Sequence, residues 1–82
     1  MKNHYYVIMR EYEGKQNNFV LRCSESENLY SKLSRFNGII VVNPFSTKKK
    51  ACEVADLWNK WAVENGNSLF DRVYPAANCI YY

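Results

Sequence analysis

Eighty-two residues at a net charge of +3, with 23% charged and 48% hydrophobic side chains and only three Gly and two Pro, describe one folded domain. That balance excludes disorder and low-complexity architecture. The longest apolar runs are residues 5–9 and 39–42, too short for a signal-peptide hydrophobic region or a membrane span.

Residues 5–12 are rich in aromatic and β-branched groups and read as a strand, with 18–23 as its returning partner across a polar loop, 13–17. Ser24 and Glu27 have the spacing of a capping box. Leu29, Tyr30, Leu33 and Phe36 then recur at helical intervals, and Asn37-Gly38 supplies the stop, so a short helix is expected. The continuous apolar run 38–42 predicts a central strand covered on both faces, ended by Asn43-Pro44.

Ser46 or Thr47 caps the next, long helix. On a helical wheel Ala51, Val54, Ala55, Leu57, Trp58, Trp61 and Ala62 share about 160° of arc, the width of a helix face lying on a sheet. Glu53, Asp56, Asn59 and Lys60 fall on the other side, which predicts both tryptophans inside and Asn59 in solvent. Asn65-Gly66 closes the helix. Residues 68–74 read as the last main strand, stopped by Pro75, and 79–82 as a candidate edge strand.

The expected fold is a single α+β domain, 1–82, of order ββαβαβ. It is a two-layer sandwich in which a four-stranded mixed sheet, with a candidate fifth edge strand, packs against one long and one short helix. The strand–helix–strand unit around the long helix requires a right-handed, parallel crossover.

For chemistry the chain offers little. Cys23, Cys52 and Cys79 form no C-x-x-C pair and His4 is the only histidine, so the expectation is reduced thiols, no metal and no cofactor in a cytoplasmic protein. No nucleophile elbow, zinc-binding helix motif or phosphate-cradling glycine loop is present. Cys52, near a helix start where thiolate is favoured, is the one reactive candidate, and the chain is expected not to be an enzyme.

Two binding surfaces are expected instead. Tyr6, Arg10 and Tyr12 share a strand face and, with Arg22 nearby, would form an aromatic and basic platform suited to a protein partner. Lys48, Lys49 and Lys50 crowd the first turn of the long helix, where cations oppose the helix dipole, and Lys32 and Arg35 could extend them into an anion or nucleic-acid site.

The segment Val41-Val42-Asn43-Pro44-Phe45-Ser46-Thr47-Lys48-Lys49-Lys50-Ala51 resembles the second strand–turn–helix of the bacterial SPOR family, which binds denuded peptidoglycan. The likeness stops there: SPOR domains open strand–helix–strand, this chain opens with a hairpin, and no binding residue carries over. Across its length, through Tyr5-Tyr6-Val7-Ile8, the Ser-Thr-Lys-Lys helix start and Ala55-Asp56-Leu57-Trp58-Asn59, the chain is similar to short Tyr-rich α+β proteins of phages and bacterial mobile elements. That similarity implies a stoichiometric binder, with anti-CRISPR-type inhibitors of host defence among the possibilities, at work in a host cytoplasm. The resulting expectation is a non-catalytic protein-binding module, monomeric or homodimeric, away from membranes, with nucleic-acid or polyanion binding as the alternative.

Overall fold

The structure, a computed structural model, describes residues 2–70. β1 (Asn3–Tyr12) and β2 (Lys15–Ser24) form an antiparallel hairpin in which Val7 faces Val20 and Ile8 faces Phe19. Its loop is two residues, shorter than the polar stretch implied. Glu13 (φ 50°) and Gly14 (φ 81°) both take the left-handed conformation, whose twist matches that of the flanking strands.

The Ser24–Glu27 pair forms, but as a turn closing β2. The Ser24 N–H donates to Glu27 Oε1 (3.1 Å) and the Glu27 N–H to the Ser24 carbonyl (3.1 Å). α1 (Leu29–Ser34) starts one turn later on Asn28, whose Oδ1 accepts from the Ser31 N–H.

β3 (Gly38–Ile40) pairs only with β1, antiparallel, giving the order β2-β1-β3. The apolar run is therefore an edge strand and not the central one, and Ile39 and Ile40 remain 57% and 38% exposed. A continuous apolar run does not by itself separate these cases. Asn37 (φ 51°) makes the left-handed stop. Gly38 answers a different need: a Cβ there would lie 2.5 Å from Ile8 Cγ2, so only glycine lets β3 approach the core. Beyond β3, Val41 N–H donates to the Val7 carbonyl, and Tyr5 and Phe45 exchange main-chain hydrogen bonds.

α2 (Lys48–Glu64) is capped by Thr47, whose hydroxyl accepts from the Lys50 N–H (3.3 Å), and ends at Gly66 (φ 71°). The two helices lie on opposite faces of the sheet. Val7 and Val20 pack with Ala51, Cys52 and Ala55 of α2 on one face. Ile8, Phe19 and Leu21 pack with Leu29, Leu33 and Phe36 on the other.

The chain is thus α+β with a three-stranded antiparallel sheet and two helices, in the order ββαβα, which corrects the four-stranded mixed sheet and the order ββαβαβ. The two-layer expectation fails because both faces of β1 and β2 are apolar and each draws a helix. Of the expected strand 68–74, Ser68 makes an isolated parallel bridge to Gln16. Residues 71–74 and the candidate edge strand 79–82 lie outside the described residues.

Candidate functional site

α2 is rotated about a quarter turn from the face that hydrophobicity alone selects. The residues it buries are Ala51, Cys52, Ala55, Asn59 and Ala62. Three alanines are small enough to let the helix lie close on β2 and β1. Trp58 (42% exposed) and Trp61 (46%) stand outside, with Leu57 more exposed still. The indoles meet edge to face, with centroids 6.4 Å apart and planes at 75°. Val54, packed at the rim of the core, extends the row, so residues 54, 57, 58 and 61 form one apolar stripe of i, i+3, i+4, i+7 spacing. The expectation that both tryptophans are internal is overturned.

The expectation for Asn59 is overturned as well. It is 5% exposed and binds the main chain of β2. Its Oδ1 accepts from the Asn18 N–H (2.7 Å) and its Nδ2 donates to the Asn18 carbonyl (2.8 Å). The sequence carried one signal for this: Ala51, Ala55, Asn59 and Ala62 form a single row at spacings of four, four and three, a row of small residues interrupted by one amide.

Gln16, Arg22 and Ser24 have partners for outward groups of β2 as well. Gln16 pairs with Asn67 and Leu69, the Arg22 carbonyl accepts from Lys32 Nζ, and Ser24 is held by Glu27. Lys32 also bridges Glu27 Oε2 at 3.0 Å. That ammonium, with the Ser24 amide, lowers the Glu27 pKa to about 2.

Lys32 is therefore a tether between α1 and the sheet. Arg35 is exposed at the end of α1, on the face opposite α2. Lys49 and Lys50 are exposed and Lys48 is half-buried in the first turn of α2. The five cations thus divide between two faces.

The strand platform is also divided. Tyr6 is half-buried against the α1-side core. Arg10 and Tyr12 are exposed at the far end of β1. Arg22 pairs with Tyr5 and so points to the other face from Tyr6.

Burial pushes the Cys52 thiol up, with Asp56 adding to the rise and Lys48 opposing it. Burial raises the Cys23 thiol too. Neither thiol is activated as a nucleophile. Among the described residues no group of three His, Cys, Asp or Glu could hold a metal, and no helix is long and apolar enough to cross a membrane. A shallow groove of about 370 Å³ lies between α1 and β3, lined by Tyr30, Leu33, Ser34, Asn37, Gly38 and Ile39.

No family model, curated protein or solved structure matches the chain.

Proposed function

We propose that the chain is a small non-catalytic protein-binding module whose contact surface is the α2 stripe of Leu57, Trp58 and Trp61. The observation behind this reading is the pair of adjacent indoles held half in solvent on a helix whose opposite face is fixed to the sheet. Trp is the residue type most enriched at binding hot spots, and a rigid amphipathic stripe fits an apolar groove on a partner. The partner chemistry is thus a protein groove wide enough for two indoles. By its likeness to small phage and mobile-element proteins, the sharpest form of the proposal is a stoichiometric inhibitor of a bacterial defence nuclease, acting in the cytoplasm.

The comparison of wild type with Trp58→Ala/Trp61→Ala as baits in a host lysate tests this, with captured proteins identified by mass spectrometry. The double variant should lose the specific capture while keeping its melting temperature within a few degrees. Capture that survives both substitutions would remove the reading. Polyanion binding through Lys48, Lys49 and Lys50 is less well supported, because Lys32 is engaged by Glu27 and Arg35 lies across the sheet. It would show as oligonucleotide affinity falling steeply with salt.

A further inference from the structure

Four charged side chains border the α2 stripe, and their signs alternate along it: Lys50, Glu53, Lys60 and Glu64. All four are exposed, and no ion pair among the described residues engages any of them. Lys50, Leu57 and Glu64 form one row at intervals of seven, with Val54 and Trp61 beside it. Glu53 and Lys60, also seven apart, run along one flank of that row, and Trp58 lies on the other. The stripe is a short heptad seam with a cation at its start, an anion at its end and one charge of each sign on its flank.

The order of the signs selects the occupant. Lys50 lies seven residues before Leu57 and Glu64 seven after it, while Glu53 lies four before and Lys60 three after. Each charge thus has its opposite at the mirror position. A parallel copy of the helix would set Lys50 beside Lys50 and Glu64 beside Glu64. A reversed copy meets an opposite charge at all four positions. A foreign helix would need a sequence matched to this pattern, and a second copy already carries it. We propose that α2 pairs antiparallel with α2 of a second copy of this chain, about a two-fold axis beside Leu57. The inference rests on the reading of the stripe as a contact surface and names one protein that fits it.

In that pair Lys50 lies by Glu64 of the second copy and Glu53 by its Lys60, each contact made twice by symmetry. Leu57 sits at the axis, and Trp61 meets Val54 of the second copy. Lys49 and Lys50, which oppose the dipole of their own helix, come alongside the carbonyl end of the other. Seventeen residues make about 25 Å of helix, and one helix face from each copy is an area at the low end for protein pairs. The pair is therefore reversible, and a foreign protein on the stripe displaces the second copy.

Sedimentation of the full chain over a wide concentration range tests the proposal. The expected result is a reversible monomer–dimer equilibrium that Glu53→Lys and Lys60→Glu each weaken by about tenfold, because each sets like charges together across the axis. Mixed with each other, the two variants should pair as tightly as wild type does, since the altered positions then face one another with opposite charge. Arg10→Glu, on β1, changes the net charge as much as Lys60→Glu and should leave the equilibrium unchanged. Should a variant fail to fold, wild-type tryptophan emission replaces it: the emission should move to the blue and acrylamide quenching should fall as the dimer forms.

A monomer at every concentration overturns the proposal, while capture of a foreign protein through Trp58 and Trp61 stands or falls by its own experiment. A dimer that both α2 substitutions leave intact, one that Arg10→Glu breaks, a mixture that stays monomeric, or emission unchanged as the dimer forms overturns it equally. A dimer with the expected charge dependence, in a chain that captures nothing through its indoles, upholds the pair and removes the foreign partner.

Discussion

The amide of Asn59 meets Asn18 on both sides, accepting from its N–H and donating to its C=O. A side-chain amide has the same donor and acceptor as a peptide group, so it satisfies Asn18 on the β2 edge without a strand. Asn59→Ala would leave two buried main-chain groups unpaired, at about 1–3 kcal/mol each. The expected result is a lower denaturation midpoint together with faster amide exchange at Asn18 than in wild type. A loss of stability with Asn18 still protected would show that another group takes over the edge. Glu27 acts at the other end of β2. Its pKa, held at about 2 against 4.5 unperturbed by the Lys32 ammonium and the Ser24 amide, lies below that of the unfolded chain. Its contribution is therefore full above pH 4.5 and disappears as pH falls towards 2. Wild type should exceed Glu27→Gln in stability at neutral pH, and the two denaturation curves should converge across that acid window.

At the scale of elements, Gly38 fixes where β3 lies. Its missing Cβ would stand 2.5 Å from Ile8 Cγ2, a fully buried branched side chain that has no room to retreat. Gly38→Ala should destabilise the domain by about 1–3 kcal/mol through overpacking, measured by chemical denaturation. An unchanged midpoint would mean that β3 shifts freely. The hairpin, the short helix and the Thr47-capped helix were legible because each carries local chemistry: β-forming residues, helical spacing, a hydroxyl cap or a left-handed stop; the cap of the short helix was placed at Ser24, one turn before Asn28, where it forms. What was not legible is which face of α2 turns inward. Hydrophobicity ranks Trp58, Trp61 and Leu57 above Ala51, Ala55 and Ala62, but a helix lying close on a sheet needs small residues beneath it, and that constraint comes from the sheet. The rank of β3 was hidden for a related reason. Ile-Ile-Val-Val reads alike in a covered centre and an open edge, and only pairing decides. Of the candidate site residues, Lys32 and Tyr6 have roles within the fold, and Arg22 and Arg35 lie away from the groups they were expected to join. The α2 stripe proposed as the contact surface was visible as residues but read as core.

For the whole molecule, two helices on opposite faces of a narrow sheet leave little interior, and Ala, Cys and Asn fill the α2 side of it. Large side chains are displaced to the outside, where Trp58 and Trp61 form the only paired indoles the chain possesses. The same layering separates Lys32 and Arg35 on the α1 side from Lys48, Lys49 and Lys50 on α2. The proposed binding function therefore rests on where the two indoles are. Acrylamide quenching of tryptophan fluorescence in the dilute native protein measures this directly, with Trp58→Phe and Trp61→Phe resolving each indole. Red-shifted emission, quenched in the folded protein almost as readily as in the denatured chain, is the predicted result. Blue-shifted emission that resists the quencher until the protein unfolds would contradict it.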